Sequence, residues 1–177
     1  MITRTEAFSF LKKHQPMPND DKLKESEIKR YEEVREYFIN NPDEKCIPLF
    51  LNSFGGKDGF GVYQMVEDVI LMYDSKKVLP HLLKTFYSIY EGVKYWGIQI
   101  SSNFPSECLF NPLVGLLQSE DEDIKLVTII AIAQLALNNI KKKQVVYVLE
   151  KECRKILDED VKEFTKEVLL DIQNSTL

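Results

Sequence analysis

"EDEDIKLVTIIAIAQLALNNI", Glu120 to Ile140, decides the fold. Four acids lead into Ile124, Val127 and Ala131, apolar residues spaced three and four apart as on one face of a helix. Acids suit a helix N-terminus, where the backbone N–H groups are unpaired. The pattern recurs in both directions along the chain. "GVYQMVEDVILMY" starts at Gly61, "GVKYWGIQISSNF" at Gly92, "DIKLVTIIAIAQL" at Asp123 and "DVKEFTKEVLLDI" at Asp160. Position one of each is Gly or Asp, both suitable N-caps. Position two is Val62, Val93, Ile124 or Val161. Position five is Met65, Trp96, Val127 or Phe164, and position nine is Val69, Ile100, Ala131 or Val168.

A second periodicity lies between these helices. Pro48 in "IPLFL", Pro80 in "LPHLL" and Pro112 in "NPLVGLL" are spaced 32 residues apart, and a further 32 leads to Gln144 in "QVVYVLEKECRKIL". Proline fits the first turn of a helix, so each marks the start of a short amphipathic helix. The unit is therefore helix A, turn, helix B. Upstream, Thr3 to His14 carries a capping box of Thr3 with Glu6. Asp21 to Asn40 is charged, with Ile28, Tyr31, Val34 and Phe38 on one stripe. This segment reads as a helical cap shielding the end of a stacked array. "SIYEGVKYWGIQI" alternates β-formers, but its place in the repeat assigns it to a helix. The expected organisation is one domain over 1–177, with a cap over 1–44 and repeats over 45–177.

The tetratricopeptide and ankyrin signatures are absent. The units resemble the HEAT-like repeat, whose helix B typically opens with an acid, then valine, then a base, with small or apolar residues inside. Glu120 to Ile140 and "EGVKYWGIQISSNFP" (Glu91 to Pro105) resemble it most, and the likeness runs from about Cys46 to Ile172. The units are shorter than usual, and Gly97 and Thr128 stand where the family often has alanine. The resemblance implies an all-α fold, a right-handed α-solenoid of about four two-helix repeats. HEAT-like families include scaffolds, DNA-alkylation glycosylases, bilin lyases and small bacterial immunity proteins that neutralise toxins. Size, an acidic pI of about 5.2 and the lack of an export signal are similar to the last group.

That resemblance implies a non-enzymatic, cytoplasmic binding module, a monomer when free, whose partner is a basic toxin domain. A HEAT-like glycosylase and a generic scaffold are the alternatives. Bulk numbers bear on the choice. The formal charge is −5, with 44% apolar and 29% charged residues, which argues against nucleic acid as partner. No apolar run is long enough to span a membrane. Cys46, Cys108 and Cys153 form no CxxC pattern and read as free, mostly buried thiols. Neither a metal site nor a cofactor is expected.

The A–B turns collect acids: Asp58, Glu91, Glu120, Asp121, Glu122 and Asp123, and Asp158, Glu159 and Asp160. Lys76, Lys77, Lys141, Lys142 and Lys143 gather where helix B returns to the next helix A. Acids near helix N-termini and lysines near C-termini complement the helix dipole, and an acidic ridge also attracts a cationic partner. Trp96 reads as core. Tyr63 and Tyr95 read as interface tyrosines, joined on their helices by Glu67, Asp68 and Gln99. Lys94, Lys125 and Lys162 share one repeat position, which is what the glycosylase alternative needs. His14 and His81 read as surface or capping residues, and no catalytic set is expected. In "FGGKDGFGVYQ" four glycines crowd around Lys57. The spacing is not that of a phosphate loop, since no Ser or Thr follows the lysine and no strand precedes it. It reads as an expanded, flexible turn with Lys57, Asp58 and Phe60 at its partner-facing tip.

Overall fold

The computed structural model describes Ile2 to Ser175, all helical: among these residues there are ten α-helices, two 3₁₀ turns and no strand. The helices are α1 (Arg4–Lys13), α2 (Glu25–Asn40), α3 (Ile47–Leu51), α4 (Val62–Leu71), α5 (Ser75–Thr85), α6 (Glu91–Ser101), α7 (Phe110–Leu116), α8 (Glu122–Leu137), α9 (Lys142–Cys153) and α10 (Glu159–Asn174). The chain divides into two compact units, Met1–Gly97 and Ile98–Leu177, the boundary falling inside α6. None of the described helices is long and apolar enough to cross a membrane.

In the first unit α1 packs on α2 and α3, α2 on α4, and α3 on α5. Helices two apart in the chain therefore pack on each other, α1 with α3, α3 with α5 and α2 with α4. The expected Thr3–Glu6 capping box is present, with Thr3 N donating to Glu6 Oε2 at 2.8 Å and Glu6 N to Thr3 Oγ1 at 3.3 Å. The stripe on α2 faces inward: Tyr31, Val34 and Phe38 are fully buried. Pro48 stands in the first turn of α3 as the sequence suggests. Pro80 does not; α5 begins at Ser75 and the proline lies inside it. The fully buried Val78 extends the stripe of Leu82 backwards by one turn.

The core of this unit is a chain of rings. Phe38 meets Phe50 at 5.7 Å between centroids, Phe50 meets Tyr31 at 6.0 Å, and Tyr31 meets Tyr63 at 6.0 Å. Tyr63 meets Phe54 at 5.5 Å, and Phe54 stacks on Trp96 at 5.7 Å. Edge-to-face pairs of this kind add to the area they bury.

In the second unit α8 packs on α7, α9 and α10, and α9 packs on α10. Nine residues of α8 are buried, over about two thirds of its circumference, and the remaining face holds the half-buried Leu126, Ile130, Gln134 and Leu137. A helix apolar all round is a core helix, and this is why "LVTIIAIAQLAL" carries no polar face. The thiols of Cys46 and Cys153 are buried and that of Cys108 is exposed; all three are free.

The repeat register needs correcting in part. Position two is buried in all four copies, as Val62, Val93, Ile124 and Val161. Position five is not, since Met65 is 38% exposed and Phe164 is half-buried. Position six is the shared inner position, holding Val66, Gly97, Thr128 and Thr165, all buried. Thr128 and Thr165 donate their hydroxyls to the position-two carbonyls of Ile124 and Val161 at 2.6 and 2.7 Å. A threonine is thereby satisfied where an alanine would otherwise sit. The caps shift as well. Gly61 is the N-cap of α4, but Gly92, Asp123 and Asp160 lie inside their helices. The caps of α8 and α10 are Asp121 and Asp158, whose carboxylates accept from Ile124 N at 3.0 Å and Val161 N at 2.9 Å.

Candidate functional site

The glycine-rich segment builds the most unusual surface of the first unit. Four residues in it have positive φ: Lys57 (65°), Gly59 (59°), Phe60 (55°) and Gly61 (87°). For lysine and phenylalanine this left-handed region is unfavourable by about 1 kcal/mol each and needs outside support. The segment from Gln15 to Asp20 gives it. Met17 N donates to Ser53 O at 2.9 Å, Gly56 N to Asn19 Oδ1 at 3.0 Å, and Gly59 N to Asp20 Oδ1 at 3.2 Å. Asp58 Oδ1 accepts from Phe60 N at 2.9 Å. On the other side Trp96 Nε1 donates to Lys57 O at 2.9 Å. The expected flexible turn is thus a pinned one. Two N–H groups that a phosphate loop would offer to an anion are already taken by Asn19 and Asp20.

Tyr63 is the foundation of the loop. It is 1% exposed, and its ring lies directly beneath Gly59. The expected interface tyrosine is therefore a core residue: the loop folds over a helix position that would otherwise face solvent. Its hydroxyl lies beside the Gly55 backbone, close enough to feel the N–H but outside good hydrogen-bond geometry. Burial pushes its pKa up to about 12; the Gly55 backbone N–H works against that rise, and the Asp20 and Asp58 carboxylates add to it.

What the loop presents outward is Lys57, Asp58 and Phe60, all exposed, with Phe60 64% accessible. The α5–α6 turn reaches the same end of the unit, because Gly92 abuts the Gly55 carbonyl and Trp96 holds Lys57. That turn carries Tyr87, Ile89 and Tyr90, exposed by 75%, 87% and 49%, followed by the exposed Glu91. These three apolar residues lie outside the repeat positions that helical periodicity picks out, on the turn before α6 starts at Glu91. Four apolar or aromatic residues in "FYSIY" interrupted by one serine, at the loop position of the repeat, are the available signal.

The other expected site residues are spread more widely. Asp68 is exposed on α4 at 3.9 Å from Arg35 of α2, and Glu67 is half-buried. Tyr95 is half-buried, its ring edge-on to Trp96 at 5.6 Å. Trp96 is 6% exposed, a core residue as read. Gln99 is half-buried on the part of α6 that belongs to the second unit. Glu120, Asp121, Glu122 and Asp123 are exposed at the start of α8. There Glu122 and Asp158 line a small cleft of about 200 Å³ together with Lys125 and Lys155, so bases interrupt the acids.

Two of the acids have a structural task. Asp121→Ala and Asp158→Ala should each lower stability by about 1 kcal/mol through loss of the N-cap. Glu120→Gln should leave it within about 0.5 kcal/mol. Urea denaturation followed by circular dichroism separates the two classes, and equal losses at all three positions would remove the distinction.

The lysines of the return loops are not at helix C-termini. Lys76 and Lys77 occupy the first turn of α5, and Lys142 and Lys143 that of α9, the unfavourable end of the dipole. Partners offset this: Lys77 pairs with Glu44 at 2.6 Å, Lys141 with Glu107 at 2.8 Å, and Lys142 Nζ donates to Ser175 O at 2.7 Å. Lys162 pairs with Glu159 at 3.0 Å. His14 caps α1 but is buried, its Nδ1 at 2.8 Å from Phe10 O and its Nε2 at 3.9 Å from Glu27. His81 sits mid-helix on α5, its pKa lowered by burial and by Lys84. Among the described residues no group of three or more His, Cys, Asp or Glu is placed to hold a metal ion. No protein-family profile and no curated protein matches the chain.

Proposed function

We propose that the chain is a HEAT-like helical-repeat protein that works without catalysis, by binding another protein, and that its partner is a basic toxin domain which it neutralises. The carrying observation is Phe60: a large aromatic side chain, 64% exposed, held at φ 55° on a loop pinned from both sides. A strained, solvent-facing aromatic on a rigid frame is a feature of binding sites rather than of folding. Tyr87, Ile89 and Tyr90 add further exposed apolar side chains on the turn whose Gly92 meets the same loop at Gly55. Asp58 and Glu91 lie beside these residues in the chain, and with a chain charge of −5 they favour a cationic partner. The packing of helices two apart in the first unit, and the shared threonine bond of α8 and α10, support the repeat reading.

Co-expression tests the proposal. Candidate toxin domains encoded beside this chain are expressed with and without it. One of them should arrest growth alone and co-purify with the chain when growth is restored. Phe60→Ala should keep the urea midpoint of the parent and weaken that complex by about 2 kcal/mol, roughly 30-fold in Kd. If every neighbouring product fails to bind, or if Phe60→Ala binds as tightly as the parent, the reading fails.

A further inference from the structure

A second surface of the first unit has the opposite electrostatic character. A cleft of about 650 Å³ opens between α1 and α3. Its floor is apolar, made by the half-buried Phe8, Pro48 and Leu49. Arg4 and Lys12 stand on one wall and Lys45 on the other. Arg4 is occupied: its guanidinium pairs with Asp43 and lies 4.9 Å from the centre of the Phe8 ring. Lys12 and Lys45 are exposed, and neither has a carboxylate within ion-pair distance among the described residues. Asp43 lies near enough to Lys45 to feel its charge, but Arg4 already holds it. On a chain of net charge −5 this is a local reversal of sign around an apolar recess.

We propose that this cleft docks a short acidic, amphipathic peptide segment of a partner protein. Its apolar side chains would seat on Phe8, Pro48 and Leu49, with carboxylates reaching Lys12 and Lys45 from the two sides. The size fits a few side chains rather than a domain face, and a groove between helices with apolar floor and charged rim is a known way of reading an amphipathic peptide. Charge on two facing walls suits a segment lying between them. A flat anionic membrane would meet the net negative charge of the whole chain before reaching the recess.

Selection from a displayed library of random short peptides tests this, run in parallel on the parent and on Lys12→Glu/Lys45→Glu. Both substitutions are on the surface, and the urea midpoint of the double variant confirms its fold. The parent should enrich peptides that combine acids with apolar anchors. A synthetic copy of one of them should bind the double variant about tenfold more weakly by fluorescence anisotropy, with affinity falling as salt rises. Phe8→Ala should weaken the same peptide. The proposal is overturned if the parent enriches nothing beyond the double variant, or if the enriched peptides lack acids. It is also overturned if phosphatidylserine vesicles bind the parent and not the variant while no peptide does, which would make the cleft a lipid site.

Discussion

Tyr63→Ala should lower the free energy of unfolding by about 4 kcal/mol, whereas Tyr63→Phe should leave it unchanged or raise it slightly. The first effect follows from the ring. It touches Phe54, Tyr31 and Trp96 at centroid distances of 5.5, 6.0 and 6.1 Å and carries Gly59 on its face. Truncation would break the chain of rings in the middle and leave a cavity whose walls are themselves rigid. The second effect follows from the hydroxyl, which is buried and has only the Gly55 backbone beside it, without a well-formed hydrogen bond. Removing a desolvated polar atom with no partner loses nothing and relieves its desolvation. Tyr31 is the internal control. Its hydroxyl lies 2.5 Å from Ser53 Oγ, which in turn donates to Phe50 O, so Tyr31 is the donor of a buried pair. Tyr31→Phe should therefore lose about 1 kcal/mol. Urea denaturation with equal m-values gives all three numbers. A loss on Tyr63→Phe as large as that on Tyr31→Phe would show that the Tyr63 hydroxyl is bonded after all. Tyr63→Ala also removes the support of the loop, so partner binding should fall with it even at temperatures where the variant remains folded.

The contrast between Tyr63 and Trp96 shows how far sequence reaches in this chain. Helical periodicity identified both α4 and α6, and the buried positions two and nine of the first three copies follow from three- and four-residue spacing. Capping at Thr3 was legible too, because a capping box is local. Position five against position six was not legible. The two differ by about 100° around a helix, and which one faces inward depends on the helix packed alongside. Tyr63 was misplaced for a related reason. Its burial is created by a loop that folds back over it, held by Asn19 and Asp20 nearly forty residues earlier in the chain, and no local pattern encodes that. Phe60, in contrast, was legible as a loop-tip residue because glycines on both sides of it leave little else for the backbone to do. Tyr87, Ile89 and Tyr90 are not legible, because helical periodicity marks buried faces and carries no information on which turn residues stay uncovered.

Gly92→Ala and Gly97→Ala should each destabilise the protein by about 3 kcal/mol, although both are glycine-to-alanine changes within a helix. In an exposed helix the same change would stabilise by about 1 kcal/mol, so the sign is the test. Both glycines lie on α6 where neighbouring atoms leave no room for a Cβ, but the obstacles differ. At Gly97 an added Cβ would overlap the Thr85 hydroxyl, which is buried and donates to Leu82 O at 2.7 Å. A side chain can be trimmed. Thr85→Ala removes the hydroxyl but keeps the Cβ, itself 2.6 Å from the added one, so Thr85→Ala/Gly97→Ala should recover only part of the loss, with a coupling of about 1 kcal/mol in the double-mutant cycle. At Gly92 the overlap is with the Gly55 carbonyl, which is backbone. Gly55 has nowhere to go, because its own Cα is packed against the carbonyls of Met17 and Pro18 and the Tyr63 hydroxyl. No side-chain substitution at a neighbouring position should rescue Gly92→Ala, and it should also displace the loop that carries Phe60. The two variants thus make different predictions for the same loss of stability. Gly97→Ala/Thr85→Ala should bind the partner like the parent, while Gly92→Ala should bind it poorly at any temperature. A Gly92→Ala protein as stable as the parent would mean that α6 and the glycine loop do not meet where Gly55 and Gly92 place them, and the grouping of Phe60 with the α5–α6 turn would come apart with that contact.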